Sequence, residues 1–121
     1  MANIRESLSA IMDIDGAEGA ALVDYQSGMT LGTTGGGDID MELAGAASTE
    51  VLRSKNSVID KLGINDSVNE ILVSLDKSYH LTRVFHENSN VFTYVILDRE
   101  KANLALARMT LQEIDEDLEL Q

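Results

Sequence analysis

Several residue types are missing from this sequence, and each absence excludes a class of structure. The 121 residues contain no cysteine, so the chain has neither a disulfide nor a thiolate metal site. They contain no proline, so no helix is interrupted abruptly. No apolar run approaches the roughly 18 residues that a membrane-spanning helix needs. The N-terminal segment lacks the basic region, long apolar core and cleavage site of a secretory signal. We therefore expect a soluble, cytoplasmic protein.

Positive charge is also scarce. The chain carries 9 Lys and Arg against 21 Asp and Glu, which gives a formal net charge of −12. Nucleic-acid binding needs a basic surface that displaces counterions, and docking on anionic lipid needs the same. We therefore expect neither a nucleic-acid partner nor membrane insertion. The acidic balance favours solvation and, more weakly, a basic protein partner.

What is present is one apolar pattern long enough for a single domain. Hydrophobic residues make up 44% of the chain, and we expect one domain over residues 1–121. The last predicted strand is apolar at both its odd and its even positions, which point to opposite faces of a sheet. This places the strand centrally, with helices over both faces. Acidic residues end the chain at the negative end of the last helix dipole, so the tail, about 115–121, is expected to fray. The predicted elements are a helix over 3–14, a hairpin over 17–34, a long helix over 38–62, three strands over 68–76, 78–86 and 91–98, and a helix over 100–118 capped by Asp98.

The glycine-rich stretch "GTTGGGDID", residues 32–40, has the context of a phosphate-binding loop but not its chemistry. A Walker loop needs Lys and Ser or Thr directly after its last glycine, whereas Asp38 follows Gly37 here. Carboxylates at a helix start repel the phosphate that the N–H groups should receive. The dinucleotide fingerprint belongs to a parallel unit, and this loop follows a hairpin. We interpret the stretch as a flexible connector and predict no bound cofactor.

Other candidate sites also have simpler explanations. His80 and His86 lie six residues apart on one predicted strand, about 20 Å from each other and too far for one metal ion. No nucleophile elbow marks a Ser–His–Asp site. Asp13, Asp15 and Glu18 lack the pattern of a calcium loop. The sequence therefore predicts no catalytic residue, no metal and no enzyme. An enzyme whose site is invisible in the sequence stays a weaker alternative, third after the two function classes given below.

The long helix is unusually slim, and it precedes a strand that we expect at the edge of the sheet. Its middle, "ELAGAASTEVL", includes Gly45, which costs roughly 1 kcal/mol of helix propensity relative to alanine. Small residues let a second element approach closely. The strand over 68–75 follows the crossover, and an unpaired edge invites pairing. Two copies related by a two-fold axis would satisfy both features, whereas the alternative is a helix that packs only on its own sheet.

The order of these elements, together with "GAALVDYQSGMTLG", "ELAGAASTEVL", "NEILVSLDKSYHLTRVF" and "FTYVILDREKANLALARMTL", resembles the roadblock / dynein light chain-type domain family. Within that family the chain is similar to the bacterial MglB-like members, over about residues 4–114. The resemblance implies an α+β fold with a five-stranded antiparallel sheet, the long helix on one face and both terminal helices on the other. It also implies a non-catalytic homodimer, joined through the long helix and the third strand, that binds a small Ras-like GTPase. In the MglB manner, such a dimer stimulates GTP hydrolysis by repositioning the GTPase's own residues, without an inserted arginine.

The resemblance also implies which residues make these contacts. Exposed residues near the C-terminal half of the long helix are expected to touch the GTPase, namely Arg53, Lys55 and Asn56. The implied dimer contacts are Ala44, Ala47, Ser48, Val51, Leu52 and Lys55 on the helix, and Glu70, Leu72 and Ser74 on the strand.

A second function class remains open. A small-molecule sensor of PAS-like or profilin-like build shares a five-stranded sheet with flanking helices. A sensor keeps a cavity of some hundreds of Å³ with a few polar groups. Small residues at 19–21 beneath a slim helix predict a filled core instead, which favours the dimeric scaffold.

Overall fold

The computed structural model describes residues 2–119 and confirms the predicted order of elements. No helix within the described residues is long and apolar enough to cross a membrane. The elements are α1 (Ile4–Met12), β1 (Ala17–Asp24), β2 (Thr30–Gly35), α2 (Met41–Lys61), β3 (Glu70–Ser74), β4 (Ser78–Val84), β5 (Val91–Asp98) and α3 (Leu104–Asp117). The strands form one sheet in the order β2-β1-β5-β4-β3, and each neighbouring pair is antiparallel.

The first two helices begin at side chains that satisfy their free N–H groups. The Asn3 carboxamide oxygen accepts from the Glu6 N–H at 2.8 Å, and the Glu6 carboxylate accepts from the Asn3 N–H at 3.1 Å, which is a capping box. Asp40 accepts from the N–H groups of Glu42 and Leu43, both at 3.1 Å. The start of α2 is therefore occupied by the chain's own carboxylate, which agrees with the connector interpretation of the glycine-rich loop.

The predicted start of the last helix is wrong. Asp98 does not cap α3; its carboxylate accepts from the Glu100 N–H at 3.0 Å inside a turn. The helix begins later, where the Asn103 side chain accepts from the Leu106 N–H at 3.1 Å. Asp and Asn are both good caps, so residue type alone did not decide between Asp98 and Asn103.

The acidic tail is connected to the N-terminus as far as the structure describes it. The Ala2 N–H donates to the Asp117 carbonyl at 2.7 Å, and the Glu119 N–H donates to the Ala2 carbonyl at 2.8 Å. The fraying predicted for 115–121 stays a prediction. Residues 120 and 121 lie outside the described residues.

The sheet separates two apolar layers, as the alternation in β5 predicts. Residues 91–97 are buried throughout, so β5 is the central strand with both faces covered. One layer lies under α1 and α3, and the other lies under α2. The buried residues of the first include Leu8, Ile11, Leu22, Leu81, Val91, Val95, Leu97 and Leu111. Those of the second include Ala21, Val23, Met41, Leu52, Phe92, Tyr94 and Ile96.

The slim part of α2 lies directly on its own sheet. A Cβ atom at Gly45 would be 3.0 Å from a Val23 methyl group, 3.1 Å from a Thr30 methyl group and 3.3 Å from the Ala21 Cβ. The helix packs mainly over β1 and β2. The alternative was a helix that packs only on its own sheet. It is correct for Gly45, because the close approach that this glycine permits is made within the chain.

The glycine-rich loop offers a test of the connector interpretation. Gly36 has φ of 100°, and a Cβ there would be 2.6 Å from the Met41 Cγ and 2.8 Å from the Ile39 carbonyl oxygen. Gly37 has φ of 58°, but a Cβ there would meet nothing within 4 Å. We expect Gly36→Ala to lower the free energy of unfolding by about 3 kcal/mol and Gly37→Ala by about 1 kcal/mol. Urea denaturation measures both, and equal losses would contradict this account.

Candidate protein-interaction surface

One side of α2 exposes a line of apolar residues to solvent. Their spacing of four or seven residues keeps them on one side of the helix. Leu43 is 67% exposed, Val51 53%, Val58 40% and Leu62 65%. We call this set the outer stripe: Leu43, Ala47, Val51, Val58 and Leu62. Because the opposite side of α2 is already buried on the sheet, an apolar line of this length indicates contact with another protein.

A groove of about 920 Å³ runs between the outer stripe and β3. It exists because α2 packs mainly over β1 and β2, which leaves the β3 side of this face without a helix above it. Apolar and polar side chains both line it. The lining residues are Glu50, Val51, Ser54, Lys55 and Val58 from α2, and Ser67, Val68, Asn69, Glu70 and Ile71 from the segment that enters and begins β3.

The strand beside this groove is an edge strand, as predicted. β3 pairs with β4 on one side and ends the sheet on the other, and its five paired positions show no register shift. The other edge strand, β2, has a shift that leaves Leu31 without a partner on β1, and α1 packs against it. Bulges and covering helices are common ways to protect an edge. β3 is therefore the edge that is open to strand pairing.

The side chains of β3 divide between the two faces of the sheet. Glu70 accepts from Arg83 at 2.9 Å and from Arg108 of α3 at 2.8 Å. Leu72 packs into the layer under α1 and α3. The predicted contacts Glu70 and Leu72 thus point away from α2. Ile71 and Val73 face the α2 side instead and were missed, although the period-two alternation of a strand was the signal that separates the two sets.

A hydrogen-bonded pair lies on the same face, next to the part that α2 leaves uncovered. The Tyr94 hydroxyl and His80 Nδ1 are 2.7 Å apart, and the two rings meet edge to face. Burial lowers the pKa of His80, and the nearby charge of Glu18 opposes this effect. Burial also raises the pKa of Tyr94, against a hydrogen bond with Ser48 of α2. Burial therefore favours the neutral form of both rings.

The three residues predicted to touch a GTPase are not brought together. Arg53 donates to the carbonyls of Tyr25 and Gln26 at 3.1 and 2.8 Å, and Asn56 donates to the Tyr25 hydroxyl at 3.1 Å. Both side chains hold α2 to the β1–β2 turn and are half-buried, so the expectation that they are exposed is corrected. Lys55 is exposed on the other side of the helix, where it lines the groove.

The nine predicted dimer contacts fall into three groups. Leu52 is corrected: it is 1% exposed and belongs to the layer under α2, because the buried side of the helix passes through this position. Four are exposed, namely Ala47, Val51, Lys55 and Ser74, and four are half-buried, namely Ala44, Ser48, Glu70 and Leu72. Ser74 accepts a hydrogen bond from Arg99.

The histidines and acids do not converge on a metal site in the part of the chain that the structure describes. No group of three or more His, Asp or Glu within residues 2–119 is placed to hold a metal ion. His80 lies on the α2 side of the sheet. His86 lies beyond the end of β4, where its backbone N–H donates to Asp115 at 3.2 Å.

No protein-family model matches the sequence, and no curated protein matches it. Solved structures do match the fold. A Roadblock/LC7 domain from Streptomyces avermitilis superposes with a TM-score of 0.81 at 15% identity, over 95% of this chain and 93% of that one. Myxococcus xanthus MglB gives 0.79 at 16%, over 93% and 91%. An MglB structure with a tetrameric arrangement gives 0.74 at 15%, over 93% and 88%. The chain therefore has a roadblock-type, MglB-like fold, which confirms the predicted resemblance.

Proposed function

We propose that this chain, which has a roadblock-type, MglB-like fold, is a non-catalytic homodimeric scaffold that binds and regulates a small Ras-like GTPase. The observation that carries the proposal is the position of the outer stripe, the groove and the open β3 edge on adjoining parts of one surface. The apolar side of α2 needs an apolar surface that covers it, whereas the β3 edge needs a strand that pairs with its free N–H and C=O groups. A second copy of the same chain meets both at once.

The geometry of such a dimer follows from symmetry. A two-fold axis perpendicular to the sheet and beside β3 makes the two β3 strands antiparallel and keeps both α2 helices on one face. The exposed side of each α2 then turns toward the other helix across the axis, and the two helices together cover both grooves. Ala47 and Ser48 are small enough for close helix contact, and Val51 and Lys55 lie further along the same side. The strand contact is made by the β3 backbone, so it does not depend on where Glu70 and Leu72 point.

The solved structures support an oligomer. One of the MglB structures has a tetrameric arrangement. This is a property of that protein, and it supports the proposal because the fold is shared over nine-tenths of this chain.

GTPase binding is the finer part of the proposal. The dimer would present one continuous face made of two α2 helices, and Lys55 is a cation on that face. Arg53 is engaged by Glu50 at 2.6 Å and by two backbone carbonyls. We propose that this arginine is not inserted into the GTPase. Any stimulation of GTP hydrolysis would then act through the GTPase's own residues.

The groove volume also lies within the range of small-molecule sites, which gives the sensor alternative one observation in its favour. The groove is bordered by an open strand edge and by the outer stripe, which continues beyond it. A small ligand would leave both uncovered. We therefore favour the dimer, and the oligomeric state separates the two alternatives.

GTPase binding is tested by titrating the purified chain with the Ras-like GTPases of the same genome, each loaded with GDP or with a non-hydrolysable GTP analogue. We expect at least one to bind in at least one nucleotide state. Lys55→Glu is expected to weaken that binding at least about tenfold, because it reverses a charge on the proposed face. Lys61→Glu is the matched control, since Lys61 is exposed on the same helix and does not line the groove.

Sedimentation of the same samples shows whether the Lys55 variant still dimerises. If no GTPase binds in either nucleotide state, the regulatory function is wrong and the chain is a homodimer of another purpose.

A further inference from the structure

A histidine lies where the proposed dimer would bury it. His80 is paired in register with Val73 of the edge strand, and both side chains face the α2 side of the sheet. Val73 is 43% exposed and His80 is half-buried, because α2 packs mainly over β1 and β2. In the proposed dimer the partner's α2 approaches this part of the sheet from across the two-fold axis. The ring of His80 would lose most of its remaining contact with water.

The hydrogen bonds of His80 suit its neutral form. Its Nδ1 is 2.7 Å from the Tyr94 hydroxyl, and when that hydroxyl donates, the ring carries its only proton on Nε2. Tyr94 is 6% exposed, so the acceptor role of His80 satisfies a buried donor. Protonation of Nδ1 would oblige the tyrosine hydroxyl to turn toward Ser48, whose hydroxyl donates to the Ala44 carbonyl at 2.8 Å and keeps its oxygen free to accept.

Few charged groups face His80 from the packed elements. Tyr94 of β5 and Val73 of β3 lie beside its ring, and Ser48 of α2 interacts with Tyr94; all three are uncharged at neutral pH. β1 contributes Glu18, the carboxylate that partly stabilises a charged ring.

Two charged side chains line the groove on this face: Lys55, and Glu50, which is ion-paired with Arg53 at 2.6 Å. Glu70 also borders the groove, but its side chain points to the other face of the sheet, where it pairs with Arg83 at 2.9 Å. Desolvation therefore dominates the behaviour of this histidine.

We infer that His80 makes the proposed homodimer sensitive to pH, with protonation of its ring releasing the partner. The inference rests on the proposed dimer and adds a means of regulation at the same surface. A buried neutral imidazole costs little, whereas a buried imidazolium must be desolvated without an acid at hydrogen-bond distance.

The direction follows from linkage. Burial already lowers the pKa of His80 below its ordinary value of 6.5 in the single chain, and the partner's helix would lower the pKa further. The dimer then binds fewer protons than two separate chains. Stability of the dimer is complete above the pKa of the separate chain and is lost as pH falls below it. With one proton per subunit, the Kd of dimerisation rises by at most about 100-fold per pH unit within this window.

The test is sedimentation equilibrium of the whole chain at pH 7.5, 6.5, 5.5 and 5.0 at fixed ionic strength, because the window opens below 6.5. We expect the Kd of the wild type to rise at least about tenfold across this range. His80→Gln keeps an uncharged acceptor for Tyr94 and is expected to show a flat Kd. His86→Gln is the matched control, because the chain has two histidines and His86 is exposed away from this surface. It is expected to behave like the wild type.

Asp115 provides an internal check. Burial raises the pKa of this carboxyl, but it lies on α3, on the other side of the sheet. If Asp115 caused the pH dependence, His80→Gln would keep it, and the inference would be wrong.

A second measurement does not need a variant of His80. NMR titration follows the two imidazole rings of the wild type below and above the Kd, with His86→Gln assigning the signals. We expect the pKa of His80 to be lower in the concentrated sample and that of His86 to be unchanged. If the Kd of the dimer does not change with pH, or if the pKa of His80 is the same at both concentrations, the pH switch is wrong but the dimer is not. A chain that is monomeric at every pH overturns the dimer as well.

Discussion

Replacing Val51 by glutamate is expected to convert the proposed dimer into monomers. Val51 lies in the middle of the outer stripe and lines the groove. Near a two-fold axis each substitution introduces two carboxylates into one apolar contact, and like charges at an interface cost several kcal/mol. The Kd of dimerisation should therefore rise by about 100-fold or more. Size-exclusion chromatography with light scattering, over a range of concentrations, measures the change.

Ser57→Glu is the matched control for that experiment. Ser57 is exposed on the same helix and does not line the groove. The added charge is the same, so a general effect of making an acidic chain more acidic would appear in both variants. Both positions are exposed in the single chain, and the free energy of unfolding should change by only about 0.5 kcal/mol in either. Val51→Glu dimers as tight as those of the wild type would show that α2 is not at the interface.

Replacing Gly45 by leucine is expected to lower folding stability strongly. A single Cβ at this position would already lie 3.0 Å from Val23 and 3.1 Å from Thr30. The leucine side chain has no space between α2 and the sheet, so the helix must move. The gain in helix propensity, roughly 1 kcal/mol, is opposed by overpacking, and we expect a net loss of about 3 kcal/mol.

Urea denaturation measures this loss, and it is best done in the Val51→Glu background so that dimerisation does not contribute. Ser57→Leu is the control, since it adds the same side chain to an exposed position of the same helix. If Gly45→Leu is as stable as its parent, α2 does not lie on β1 and β2 as described.

The sequence was most informative where a periodic pattern or a local signal decides the structure alone. The two apolar parities of β5 predicted a central strand covered on both faces, and Val95 and Ile96 do lie in opposite layers. The long helix predicted over 38–62 is α2, and it begins three residues later than predicted, after its cap Asp40. The slim middle of α2 predicted a close approach, and Gly45 makes one.

Prediction failed where the answer depends on which way an element is turned. Successive residues of a helix are rotated by about 100° around its axis, so Leu52, Arg53 and Lys55 point in three directions. The sequence places all three in the C-terminal half of α2. Only the packing of α2 on the sheet shows that Leu52 enters the core and that Arg53 reaches the β1–β2 turn.

The sequence by itself determined the order of the helices and strands, the open end of the sheet and the absence of a catalytic motif, because these follow from local periodicity and residue type. Only the tertiary structure decided which side of α2 stays in solvent. The reason is that α2 lies over β1 and β2, and the distance from there to β3 exceeds what its own side chains can fill. The groove left by that offset, with Val51 on one side and Ile71 on the other, is a product of packing that no stretch of the sequence encodes locally.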